Sequence, residues 1–98
     1  MVDVSIRPAE PGDAAAIHAL IRELAEYERL TQLCTGSTAD LADALFGPRP
    51  AAEVLLAEVD GGIAGFALFF HNFSTFLARR GLWLEDLYVR PVFRGHGV

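Results

Sequence analysis

The chain has 98 residues, enough for one small domain that buries roughly 60–65% of its unfolded surface. Hydrophobic residues make up 52% and charged residues 21%, which is a globular composition, and no apolar run approaches the ~20 residues that cross a bilayer. A net charge of −5 without a basic stripe argues against binding to a nucleic-acid backbone. The lone Cys34 excludes an internal disulfide framework, and no signal peptide is visible, so we expect a cytoplasmic protein.

The first half of the chain predicts one strand and two helices. Val2 to Arg7 alternates apolar and polar side chains, which is typical of a strand. From Ala14 to Ala25 apolar residues recur at helical spacing, which predicts an amphipathic helix. A shorter helix is expected over Ala39 to Phe46, capped by the hydroxyl of Ser37 or Thr38.

The second half predicts three strands. Glu53 to Val59 is a nearly continuous apolar run, and Asp60-Gly61-Gly62 after it is typical of a tight hairpin turn. Ile63 to Phe70 pairs back, with a bulge expected at its Gly65, and Gly81 to Val89 forms the last strand. The order β-α-α-β-β-β indicates an α/β (α+β) domain with a mixed, mostly antiparallel sheet.

Two acidic residues, Glu85 and Asp86, interrupt the apolar last strand. Because successive side chains of a strand point to opposite faces, we expect one of the two to be covered. Burial of a carboxyl group raises its pKa, and a raised pKa suits a general base near neutrality. The same pattern also fits an edge strand with one acid in water and the other in a structural ion pair.

The residues Arg94-Gly95-His96-Gly97 follow this strand, where a helix is expected to begin. Glycines allow backbone N–H groups to converge on an anion, and the N-terminus of a helix attracts negative charge. Arg94 adds a fixed positive charge suited to phosphate. A glycine-bearing turn alone is most often only a turn, so the motif gains its meaning from the strand and the acids before it.

Leu84 to Val98 resembles the fourth strand and acetyl-CoA loop of the GNAT superfamily, whose loop pattern is Arg/Gln-x-x-Gly-x-Gly/Ala; Arg94 and Gly97 occupy its first two fixed positions. Leu20 to Glu28 and the run Leu84-Glu85-Asp86 resemble, more narrowly, the spermidine/spermine (diamine) N-acetyltransferase branch. The resemblance implies that residues 1–98 are the N-terminal part of a single GNAT domain that ends within the pyrophosphate loop. We therefore expect the chain alone to be inactive.

The resemblance also assigns roles to individual residues. Glu85 would be the general base that takes a proton from the substrate ammonium. The residues expected to hold acetyl-CoA are Leu87, Val89, Arg94, Gly95, His96, Gly97 and Val98. Those expected to line the amine site are Tyr27, Glu28 and Asp86. The family's general-acid tyrosine would lie beyond this chain.

The implied function is transfer of an acetyl group from acetyl-CoA to a primary amine of a small molecule: a diamine, a polyamine or an amino-acid-like amine. Neither a metal nor a nucleic-acid or membrane partner is expected, and the full-length protein would be a homodimer. Arg79 and Arg80 follow the loop where the branch carries acidic polyamine contacts, so we expect them to disfavour a polyamine. The alternative is a non-catalytic acyl-CoA-binding or regulatory module in which Glu85 is structural.

Overall fold

The computed structural model describes residues 3–94. Its four strands form one antiparallel sheet in the order β1-β2-β3-β4: β1 Val4–Pro8, β2 Glu53–Val59, β3 Gly62–Ser74 and β4 Arg79–Val89. Two α-helices connect β1 to β2: α1 Ala14–Tyr27 and α2 Thr38–Phe46. Short 3₁₀ turns lie at Pro11–Asp13, Thr31–Leu33 and Pro91–Phe93. No helix in this part of the chain is long and apolar enough to cross a membrane.

The predicted element order is confirmed, and the hairpin of β3 and β4 is longer than predicted. β3 continues four residues beyond Phe70, and β4 begins at Arg79, with Ser74 opposite Arg79. β2 pairs with β3 only as far as Phe69, so the outer end of the hairpin is a two-stranded arm. Side chains on such an arm face solvent on both sides. The sequence there lacks the alternation of apolar and polar residues that predicts a strand.

Both helices cover the same face of the sheet and form the core with it. The buried side chains of this core are Ile17, Leu20, Leu45, Val54, Leu56, Phe66 and Tyr88. α2 begins as expected, because the Ser37 hydroxyl accepts a hydrogen bond from the Asp40 amide at 3.0 Å. The core therefore fixes α1 above β3 and β4, where the acidic residues of β4 lie.

Glycines permit the turn and the close approach of the strands. In the β2–β3 turn, Asp60 and Gly61 have φ angles of 50° and 82°, the left-handed conformation that the sequence predicted. The bulge expected at Gly65 lies one residue earlier: Ala57 is opposite Gly65 and Glu58 is opposite Ile63, so Ala64 is the extra residue. Gly65 itself is needed because a Cβ there would collide with the Tyr88 carbonyl oxygen of β4.

His18 connects α1 to the segment before α2. Its Nε2 donates to the Gly36 carbonyl at 2.9 Å, and its Nδ1 lies 2.9 Å from the Thr38 hydroxyl. The half-buried ring thus has a structural role in holding the α1–α2 connection.

Arg7 joins β1 to the rest of the domain. Its guanidinium donates to both carboxylate oxygens of Asp13, at 2.8 and 3.0 Å, and also pairs with Glu58 of β2. These hydrogen bonds from Arg7, aided by the Glu10 amide, lower the pKa of Asp13 from 3.8 to about 2. The ionised form of Asp13 is therefore favoured by folding.

Replacing Asp13 by asparagine is expected to remove about 1 kcal/mol of stability at neutral pH, since exposed pairs are screened. A carboxyl group whose pKa is lowered by folding stabilises the native state above its unfolded pKa of about 4, and this contribution is lost as the pH falls toward about 2. Urea unfolding between pH 2 and 7 measures the effect. The control is Asp3→Asn, because Asp3 forms no ion pair within residues 3–94. An equal pH dependence in both variants would contradict the prediction.

Candidate functional site

The acidic pair of β4 lies at a bulge. Leu68 of β3 is opposite Asp86 and Phe69 is opposite Leu84, so Glu85 is an extra residue without a cross-strand partner. A bulge adds one residue to one strand, so the regular pairing is interrupted at this position. Glu85 is exposed and Asp86 is half-buried. The bulge thus presents two carboxylates at one point of the strand.

Asp86 is the covered member of the pair. Its pKa is raised, first by burial and then by the negative charges of Glu85 and Glu28. Glu28 follows the last residue of α1, so carboxylates from a helix end and from the strand bulge both act on Asp86. Such a cluster attracts a cation, because a positive charge relieves the repulsion among the carboxylates.

Arg94 contacts two tyrosine rings, one on α1 and one on β4. Its guanidinium carbon is 5.0 Å from the ring centre of Tyr27 and 5.6 Å from that of Tyr88. Its Nε donates to the Val89 carbonyl at 2.7 Å. Since Tyr27 precedes Glu28 in the chain, one of the rings that contact Arg94 belongs to the residue before a member of the acidic cluster.

A second arginine at the end of β4 binds α1. Arg90 forms hydrogen bonds to the Glu23 carboxylate at 2.9 and 3.2 Å and to the Ile63 carbonyl at 3.1 Å. The Tyr88 hydroxyl donates to the same carboxylate at 3.4 Å. These contacts fix the point where the chain leaves the sheet. Sequence reasoning missed them, because Glu23 and Arg90 are 67 positions apart and neither stands in a recognisable motif.

The remaining predicted cofactor residues divide into two groups. Leu87 and Val89 lie on β4, which forms an edge of the sheet within residues 3–94, so part of their backbone faces away from β3. The Leu87 side chain is exposed, and the Val89 carbonyl already accepts from Arg94. Gly95, His96, Gly97 and Val98 lie outside the described residues.

Arg79 and Arg80 are remote from the acidic cluster. They lie on the two-stranded arm, opposite Ser74 and Phe73, whereas Asp86 is opposite Leu68. Six residues along a strand separate Arg80 from Asp86, a span of about 20 Å. This is about twice the distance over which physiological salt screens exposed charges. The closeness to the site on which the expected repulsion of a polyamine was based is therefore not found between these arginines and the acidic cluster of the same chain.

A cavity of about 560 Å³ among the described residues does not contain the acidic cluster. It lies between α2 and the ends of the first three strands, and Phe46, Val54 and Phe70 contribute to its wall. Its two titratable residues, Glu53 and His71, pair with each other at 3.2 Å. Within residues 3–94, no group of three or more His, Cys, Asp or Glu side chains is arranged to hold a metal ion.

The chain belongs to the Acetyltransferase (GNAT) family, which matches residues 17–98. It is 38% identical to thialysine N-epsilon-acetyltransferase of Bos taurus, over all of this chain and 62% of that protein. It is 34% identical to human spermidine/spermine N(1)-acetyltransferase-like protein 1, over 95% of this chain and 14% of that protein.

Among solved structures, a ribosomal-protein-alanine N-acetyltransferase from Brucella melitensis biovar Abortus 2308 is similar, with a TM-score of 0.75 and 26% identity over 98% of this chain and 63% of that one. The resemblance to the GNAT fold and to its diamine branch is thus confirmed. The chain spans 62% of the length of the bovine relative.

Proposed function

We propose that the protein containing this chain is an N-acetyltransferase that moves an acetyl group from acetyl-CoA to a primary amine of a small molecule. The observation that carries the proposal is that two members of the acidic cluster formed by Glu28, Glu85 and Asp86 lie within two positions of Tyr27 and Tyr88, the residues whose rings contact Arg94. The cluster attracts a cationic amine, and Arg94 attracts a phosphate group. We therefore propose that the amine and acetyl-CoA both bind near the C-terminal end of β4.

Glu85 is proposed as the general base. It is exposed at the bulge, so a substrate ammonium or an intervening water can reach its carboxylate. Transfer of the ammonium proton to Glu85 leaves a neutral nitrogen with a lone pair, which forms the C–N bond to the acetyl carbonyl carbon as the C–S bond breaks. Acetyl-CoA supplies the activated acetyl group; the nitrogen loses a second proton as the amide forms, and the departing sulfur takes up one proton, so that the products are the amide, the CoA thiol and protonated Glu85.

Asp86 and Glu28 are proposed to hold the ammonium form of the substrate. Asp86 is half-buried, and negative charges act on it. Its ionised form is therefore unfavourable on its own and is stabilised when a cation binds beside it. Arg94 fits a diphosphate, because its contacts within residues 3–94 are to tyrosine rings and a carbonyl and leave its charge uncompensated.

The proposed acceptor is the side-chain amine of an amino-acid-like molecule, or a diamine or polyamine. The names of the two similar proteins, which refer to thialysine and to spermidine or spermine, support this class. We also propose that the full-length protein is a homodimer. We propose that it acts in the cytoplasm, because the single cysteine of the chain suits a reducing compartment.

The test is a panel of thialysine, ornithine, spermidine and simple monoamines, with CoA release measured for each. We expect primary amines to be acetylated, with the same order of preference after Arg79→Glu and Arg80→Glu, because these residues lie about 20 Å from the acidic cluster. A changed order would show that the arm reaches an amine site, in this copy or another. CoA binding without acetylation of any amine would favour the non-catalytic alternative.

A further inference from the structure

Arg94 is held in place from three directions. The Tyr27 ring, from the end of α1, and the Tyr88 ring, from β4, lie 5.0 and 5.6 Å from its guanidinium carbon. The Val89 carbonyl accepts from its Nε at 2.7 Å. Tyr88 is itself fixed, because its ring is buried in the core and its hydroxyl donates to Glu23. A long side chain that would otherwise sample many rotamers is thereby restricted before any ligand binds.

The contacts of Arg94 differ in kind from those of Arg7 and Arg90. Those two arginines pair with carboxylates, which cancel their charge. Arg94 forms no ion pair within residues 3–94, and its two terminal amino groups donate no hydrogen bond there. An aromatic ring attracts a cation through its quadrupole and carries no net charge, so the rings orient Arg94 without neutralising it. The guanidinium of Arg94 is therefore already positioned when an anionic ligand binds.

We propose that Tyr27 is a positioning residue for the cofactor: by stacking on Arg94 it orients the guanidinium toward the phosphates of acetyl-CoA. This inference rests on the proposed function. The family resemblance assigns Tyr27 to the amine site, whereas this inference assigns it to the cofactor. The ring is 65% exposed, so it contributes little to the core, and its contact with Arg94 can be removed without opening a cavity.

The test compares Tyr27→Leu with Tyr27→Phe in the full-length protein. Leucine keeps an apolar side chain but has no quadrupole, so the KM for acetyl-CoA is expected to rise about 2- to 30-fold, the range of a cation–π contact. Phenylalanine keeps the ring and is expected to stay within about 2-fold of the unsubstituted protein. The KM for the amine is expected to change less than 2-fold in both variants. A rise in the amine KM with an unchanged KM for acetyl-CoA would overturn the inference.

A double-mutant cycle with Arg94→Gln separates positioning from a general structural effect. If Tyr27 acts through Arg94, then Tyr27→Leu has no further effect on the KM for acetyl-CoA once Arg94 is glutamine. Additive effects of the two substitutions would contradict the proposal.

Calorimetry with CoA keeps this test independent of acetyl transfer. If no amine is acetylated, the proposed function fails, and the Kd for CoA then decides the inference alone. A weaker Kd in Tyr27→Leu but not in Tyr27→Phe supports it, and equal values overturn it. Absence of CoA binding by the unsubstituted protein overturns both proposals.

Discussion

Replacing Glu85 by glutamine in the full-length protein is expected to lower kcat for acetyl transfer about 10²–10⁴-fold at neutral pH, the usual contribution of a positioned acid–base group. Glutamine has nearly the same shape but cannot accept the ammonium proton. The KM for acetyl-CoA is expected to remain unchanged, since Glu85 lies at the bulge rather than beside Arg94. Steady-state kinetics with the preferred amine measures both quantities.

Asp86→Asn is the matched variant, one residue along the same bulge. It is expected to act mainly on the KM for the amine, because it removes a negative charge from the cluster that attracts the ammonium. If Asp86→Asn abolishes turnover while Glu85→Gln does not, the proposed roles of the two residues must be exchanged. If neither changes the rate, both acids are structural.

Replacing Gly65 by alanine is expected to destabilise the protein by about 1–3 kcal/mol, the cost of adding an atom to a packed contact. The new Cβ would collide with the Tyr88 carbonyl oxygen and lie 3.0 Å from the Val89 Cα, and both belong to the backbone of β4. Backbone cannot rotate away as the end of a side chain can. The melting temperature is expected to fall by about 4–8 °C for each kcal/mol. The affinity for CoA should fall as well, because Tyr88 and Val89 both contact Arg94.

Gly62→Ala provides the control for this experiment. Gly62 lies in the same strand, and a Cβ there meets only the Val59 carbonyl oxygen at 3.6 Å, an ordinary contact. Its melting temperature is expected to stay near that of the unsubstituted protein. Similar losses in both variants would mean that glycine flexibility in β3, rather than the approach of β4 to Gly65, explains the effect.

The sequence predicted the elements whose signals are local. The spacing of apolar residues gave the position of α1, Ser37 gave the start of α2, and the Asp60-Gly61-Gly62 turn gave the hairpin of β2 and β3. Each of these depends on interactions within a few residues of the chain. The position of Glu85 and Asp86 on the last strand, with Arg94 after its end, was predicted as well.

The geometry of the site could not be predicted, because it depends on pairs that are distant in the chain. The bulge at Glu85 exists only relative to the register of β3. The position of Arg79 and Arg80 depends on how far β3 and β4 continue to pair beyond β2. The stacking of Tyr27 on Arg94 requires that α1 be packed against the sheet. No local pattern contains any of these facts.

The pairing of β1 with β2 has a consequence for how the chain folds during its synthesis. Its ion pair joins Arg7 to Glu58, 51 positions apart, whereas β2, β3 and β4 follow one another through short turns. At about 5–20 residues per second, a ribosome needs roughly 3–10 s to make the partner that β1 requires. During that interval β1 is an unpaired strand, but it is only five residues long and ends in Pro8, which cannot donate a backbone hydrogen bond. These two properties reduce its ability to pair with a neighbouring nascent chain before β2 emerges.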